Sequence, residues 1–174
     1  KFKILRLLVK KNLVLIGMMA AGKTTLAKIV ARKRKLEFID TDLYIEKKNF
    51  MTISQMFEKK GEPFFRAEEE KQVLKCLRKR NCVISLGGGA FINKTIRENI
   101  LKKCISIWLD VDTKTLGERI GWNKRRPLLD GKNNQNKINK LYAERKNIYK
   151  NANYKIDCKN FSKNELVKKN YRII

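Results

Sequence analysis

The sequence predicts a three-layer α/β/α domain, with helices on both faces of a five-stranded parallel sheet. Five short apolar runs recur along the chain: LVLIG (13–17), LEFID (36–40), CVISLGGG (82–89), CISIWLD (104–110) and YKIDC (154–158). Longer stretches with helical periodicity separate them, and parallel strands need crossovers that helices supply. At 174 residues the chain fits a single domain, 1–174, long enough to bury a real core.

The elements follow in order. The opening KFKILRLLVKK sets basic residues around a short apolar stretch. It lacks a small-residue cleavage site and reads as a lead-in to the first strand, not a targeting segment. The first strand closes on a glycine and enters GMMAAGKTT (17–25), which has the spacing G-x-x-x-x-G-K-[ST]. A strand before and a helix after is the context that makes this spacing a phosphate-gripping loop. Its backbone N–H groups and the helix N-terminus cradle phosphates. Gly17, Ala20, Ala21, Gly22, Lys23, Thr24 and Thr25 are therefore candidate ATP-binding residues. Lys23 is expected on the β/γ-phosphates, Thr24 on Mg²⁺ and Thr25 on the α-phosphate. The helix that follows, from Lys23 to about Lys35, places Leu26, Ala27, Ile29 and Val30 on its apolar face.

The second strand ends in IDTDLY (39–44). Open α/β sheets bind ligands beyond the carboxyl ends of their strands, so Asp40 and Asp42 are expected in the site. One acid would stand near a metal's water shell and the other on an acceptor hydroxyl. The plainer alternative is a helix N-cap with a spare acid. Two helical patterns come next, TISQMFEKKG and FFRAEEEKQVLKCLRKR. Arg66, at the start of the second, has Glu69 and Glu70 within reach for a surface ion pair. Gly87, Gly88 and Gly89, directly after the third strand, would weaken a strand interior and imply a loop where a ligand meets backbone. NKTIRENILKK and KINKLYAERKNIYK are the later helices. Between the fourth strand and the last helix, GWNKRRPLLDGKNNQNK (121–137) is long and polar and carries paired arginines, the marks of a nucleotide lid.

Composition narrows the classes. Lys and Arg number 42 against 17 acids, a net charge of +25. The lysines are spread along the whole chain with no basic stripe interleaved with aromatics, so compositional bias explains them better than a nucleic-acid surface. Four cysteines without C-x-x-C, in a chain with no histidine, exclude a zinc site and read as reduced thiols. Cys82, Cys104 and Cys158 fall in or beside apolar runs and belong in the core. No apolar run approaches the ~20 residues of a membrane span.

The P-loop, DTD, GEPFFRAEE, LGGGA, RRPLL and AERKNIY occur in an order and at spacings that resemble the shikimate kinases, from about Leu13 to Cys158. The resemblance implies a P-loop fold like that of nucleoside-monophosphate kinases. Within it, a small helical substrate-binding segment would span about 41–70 and a lid about 121–137. It implies transfer of the γ-phosphate of ATP to the 3-hydroxyl of shikimate, a step towards chorismate and the aromatic amino acids. Mg²⁺ is the implied cofactor; the implied enzyme is a cytoplasmic monomer with small-molecule substrates and no nucleic-acid or membrane partner.

Roles carry over residue by residue. Asp42 would bind the shikimate hydroxyls and accept the proton, while Asp40 would hold the Mg²⁺ water shell. Arg66 and Arg145 would grip the shikimate carboxylate. Gly87, Gly88 and Gly89 would line that pocket, with Gly88 as a direct backbone donor. Arg126 would reach the ATP phosphates and join Lys23 and Asp42 in catalysis; Arg119 would lie beside the adenine. One position departs from the family pattern G-x-x-G-x-G-K-[ST]: its second glycine is Ala20 here. If that position needs a positive φ, alanine costs on the order of 1 kcal/mol and can distort the cradle; with ordinary dihedrals the cost is small. The alternatives are another small-molecule P-loop kinase, acting on gluconate or a nucleoside monophosphate, and an inactive shikimate-binding homologue.

Overall fold

A computed structural model describes residues 11–121 and 134–158. The lead-in, Arg126 with most of the expected lid, and the segment after Cys158 lie outside the described residues.

The chain runs β1 (Leu13–Ile16), α1 (Lys23–Arg34), β2 (Glu37–Asp40), α2 (Thr41–Asn49), α3 (Ile53–Arg78) and β3 (Cys82–Ser85). A 3₁₀ turn (Ala90–Ile92) then leads to α4 (Lys94–Lys103), β4 (Ile105–Asp110), α5 (Thr113–Gly121), α6 (Asn134–Tyr149) and β5 (Tyr154–Asp157). All five strands are parallel, in the order β2-β3-β1-β4-β5. β1 therefore sits at the centre, where the chain turns first to one side and later to the other. The register brings the strand ends level: Asp40 opposite Ser85, Ile16 opposite Trp108, Asp110 opposite Asp157. Such a switch point opens a crevice at the carboxyl edge.

β1, β3 and β4 are buried along their whole length. That is why they read as unbroken apolar runs, since helices cover both faces of a parallel sheet. On α1 the buried stripe is Leu26, Ala27, Val30 and Ala31. Ile29 is only half-buried, because the core-facing stripe follows the i, i+4 rows through Leu26 and Ala27. A second, smaller apolar cluster of Ile45, Met56 and Phe65 lies between α2 and α3, with the Phe57 ring tilted against Phe65 at a centroid distance of 4.9 Å.

The two helical patterns expected over 52–80 are both present within α3, parted by a kink at Gly61, whose φ 80° and ψ 166° are not helical. Thr52 starts it with a reciprocal capping box to Gln55. Pro63 follows the bend inside the first turn of the second half, where its missing N–H costs little. Cys76, Cys82, Cys104 and Cys158 are all free and buried, so Cys76 joins the three expected in the core. Among the described residues no helix is long and apolar enough to cross a membrane.

Candidate active site

The phosphate loop between β1 and α1 passes through three left-handed positions. Gly17 (φ 137°) has no room for a side chain, because a Cβ there would lie 2.7 Å from the Leu109 carbonyl oxygen. Gly22 (φ 94°) caps α1. Between them Ala20 has φ 60°, so the substituted position is one that favours glycine, at a cost of roughly 1–2 kcal/mol. The loop nonetheless closes on itself: the Ala21 N–H donates to the Met18 carbonyl at 3.2 Å. The buried Lys23 ammonium donates to the carbonyls of Gly17 at 3.0 Å and Met18 at 2.8 Å. Arg119 reaches in from α5, and its Nη1 donates to the Ala20 carbonyl at 3.3 Å.

At the end of β2, Asp40 divides its two oxygens. Oδ1 accepts the N–H groups of Asp42 at 3.1 Å and Leu43 at 3.3 Å, capping α2. Oδ2 accepts the Thr24 hydroxyl at 2.7 Å, and the Ser85 hydroxyl lies 3.2 Å from the same Thr24 oxygen. Helix cap and site acid are thus one residue. Thr24, Asp40 and Ser85 form a set of hard oxygen donors, the type that suits Mg²⁺, which takes few protein ligands beside water and phosphate. Among the described residues no cluster of three metal-binding side chains exists to suggest an all-protein metal cage.

A cavity of about 640 Å³ joins these parts. Of the expected residues, Ala20, Gly22, Lys23, Thr24, Thr25, Asp40, Asp42, Gly88 and Arg119 line it. Met19, Ser85, Leu86, Glu118 and Ile120 line it too, although none was among the expected site residues.

Arg66, Gly87, Gly89 and Arg145 gather behind the cavity at the triple-glycine loop. A side chain at Gly87 would overlap Asp42 Oδ1, and one at Gly89 would lie 2.8 Å from Arg66 Nη1. Arg145 Nη1 and the Tyr149 hydroxyl both donate to the Gly88 carbonyl, at 3.4 Å and 2.5 Å. Gly88 is thus engaged through its carbonyl, and the Gly87 N–H donates to the Thr41 hydroxyl at 2.8 Å. Arg66 pairs with Glu69 at 2.8 Å and with Glu62 at 2.8 Å. Glu70 does not join them; it accepts from Asn93.

Glu69 is 3% exposed, and this burial decides its charge balance. Burial lifts its carboxyl above the ordinary range, and the guanidinium groups of Arg66 and Arg145 offset that only in part. Arg66 responds the other way. Burial opposes its charge, but Glu69 and Glu62 outweigh it and hold the guanidinium above its usual value. Burial pushes the Tyr149 hydroxyl up to about 12 against the pull of Arg145, so it stays a donor to Gly88. Sequence reasoning named neither Thr41 nor Tyr149 for the site. The available signals were local: Thr41 lies between the two acids, and Tyr149 is four residues past Arg145, on the same helix face.

The family model described as shikimate kinase matches residues 19–174. The chain belongs to the shikimate kinase family. A shikimate kinase of Thermoanaerobacter pseudethanolicus is 42% identical over 156 residues, covering 90% of this chain and 91% of that one. One of Bartonella henselae is 41% identical over 157 residues, covering 90% of this chain and 75% of its relative. The solved shikimate kinase of Acinetobacter baumannii, in complex with shikimate, superposes with a TM-score of 0.90 at 31% identity. That superposition covers 97% of this chain and 94% of the other, so the family likeness extends to the whole architecture.

Proposed function

We propose that this chain transfers the γ-phosphate of ATP to the 3-hydroxyl of shikimate, releasing ADP and shikimate 3-phosphate. The observation that carries the reading is one cavity lined by the phosphate loop, Asp42 and Gly88, with Arg66 against Gly89 and Arg145 on the Gly88 carbonyl. Shikimate is a small ring with one carboxylate and three hydroxyls. Arg66 and Arg145 offer forked donors to the carboxylate, and Asp42 accepts from the ring hydroxyls. The hydroxyl oxygen bonds to the γ-phosphorus as the bridge to the β-phosphate breaks, and its proton passes to Asp42 late in the transfer. Lys23, now turned onto the carbonyls of its own loop, is placed to neutralise the β/γ-phosphates when they enter.

Gly17, Ala20, Ala21, Gly22, Thr24 and Thr25 hold the nucleotide, Arg119 flanks its base, and Arg126 reaches its phosphates from the lid. Thr24 directly and Asp40 through water would hold Mg²⁺, which when bound offsets the charge that spreads over the phosphates. ATP and shikimate are then the partners of a cytoplasmic monomer.

The test is ADP release from MgATP with shikimate, gluconate or a nucleoside monophosphate as acceptor. Only shikimate should support turnover. Asp42→Asn should lower kcat about 10²- to 10⁴-fold. Arg66→Ala should raise the KM for shikimate about 10- to 100-fold, as expected for a lost charge-assisted pair. Full turnover in either variant sinks the reading. Because Ala20 strains the loop, a second outcome has its own meaning: shikimate binding without turnover would identify an inactive homologue.

A further inference from the structure

We propose that Thr41 is a positioning residue for phosphoryl transfer, its hydroxyl fixing the Asp42 turn to the triple-glycine loop. The inference rests on the functional reading above. Thr41 is 1% exposed and stands between the two acids of DTD. Its hydroxyl donates to the Ser85 carbonyl at 3.3 Å and accepts the Gly87 N–H at 2.8 Å.

The reason lies in how two neighbouring strands end. β2 and β3 are paired as far as Asp40 opposite Ser85. Beyond that pair one backbone turns into α2 and the other enters the glycine loop. The Ser85 carbonyl and the Gly87 N–H lie in buried surroundings and need partners. A hydroxyl is both donor and acceptor, so one side chain serves both groups where the ladder has stopped.

Asp42 is the next residue, and its Oδ1 lies where a Gly87 side chain would be. Thr41 therefore holds both partners of that contact, Asp42 through the chain and Gly87 through the hydrogen bond. Asp40 steadies the same turn by accepting the Asp42 N–H at 3.1 Å. Tyr149 steadies the next glycine through the Gly88 carbonyl. Thr41 is the link between these two anchored segments. Without its hydroxyl the carboxylate and the glycine wall can shift independently, and a misplacement near 1 Å is enough to cost about 10²-fold in rate.

Thr41→Val keeps the shape of the side chain and removes the hydroxyl; Thr41→Ser keeps the hydroxyl. The experiment compares both with wild type by steady-state kinetics with MgATP and shikimate, by ADP titration and by thermal unfolding. Thr41→Val should lower kcat about 10- to 100-fold while the KM for MgATP and the ADP affinity stay within about twofold. Thr41→Ser should recover kcat to within about threefold of wild type. A Val variant that keeps its kcat overturns the inference, as does a Ser variant no better than Val. Loss of ADP affinity and melting temperature in step with kcat also overturns it, because that pattern marks a damaged fold.

If the Val variant does not fold, hydrogen exchange in wild type decides. Slow exchange at the Gly87 amide supports the bond, and exchange at the rate of an exposed amide overturns it. A wild-type chain with no shikimate-dependent turnover defeats the functional reading and the inference with it. That result is distinct from an active wild type whose Val variant keeps pace.

Discussion

Ala20 shows how one side chain can be tolerated where glycine is favoured. Its left-handed backbone is strained, yet its carbonyl is held by Arg119 and the next N–H is held by Met18. Ala20→Gly removes the strain but frees the unfolded chain, leaving a net gain of about 0.5–1 kcal/mol. The melting temperature should rise by about 1–4 °C, with shikimate turnover retained; a fall in stability would contradict the reading. Glu69 offers a test of sign. Because burial raises its carboxyl, the folded chain keeps this proton at pH values where the unfolded chain has released it. Stability contributed by this group is therefore full below the ordinary carboxylate pKa and is lost as pH rises through the raised value. Glu69→Gln abolishes that slope, so the stability of wild type minus variant should shrink as pH rises through this window. Urea midpoints from about pH 4 to about pH 7 measure it, and a gap that widens contradicts the burial account.

Among the elements, α3 depends on its bend. Gly61 has a φ/ψ pair that only glycine holds at low cost, and Arg66 lies one turn beyond it. Gly61→Ala should destabilise the fold by about 1–3 kcal/mol. The KM for shikimate should rise more than that for MgATP, since Arg66 is displaced and the phosphate loop is not. Equal rises in both constants would show that the bend does not place Arg66. The kink was legible: the sequence shows two helical patterns parted by a glycine, and the helix breaks at Gly61. Strands and helices were legible because their periodicity is local. The P-loop was legible because strand, loop and helix are contiguous in the chain. The contacts that assemble the acceptor end were not. Thr41 meets Gly87 across 46 residues and Tyr149 meets Gly88 across 61; at the phosphate loop, Arg119 meets Ala20 across 99 in the same way. Each depends on strand order, which periodicity does not encode. The split duty of Asp40 was hidden for a different reason, since N-cap and site acid look alike in sequence.

At the scale of the whole molecule, the candidate site residues gather at the carboxyl edge of the sheet. The cysteines take no part. Burial raises the thiols of Cys76, Cys82 and Cys104 to about 11 and that of Cys158 to about 12, so they remain neutral packing groups. The large positive charge favours anionic ligands in general and selects none of them. Under the proposed function, selection falls to Arg66 and Arg145, which meet the triple-glycine loop at Gly89 and Gly88. The strand order also has a consequence for how the protein is made. β1 stands between β3 and β4, while β2, synthesised between β1 and β3, goes to the outside. A nascent chain therefore carries its phosphate loop on a strand with no neighbour until Ser85 has been added. It gains the second neighbour only with β4, and non-local pairing of this kind is slow to form. Tyr149, which fastens Gly88, is added later still. On the ribosome, the phosphate loop can therefore take shape before α6 arrives to fasten the triple-glycine loop at Gly88.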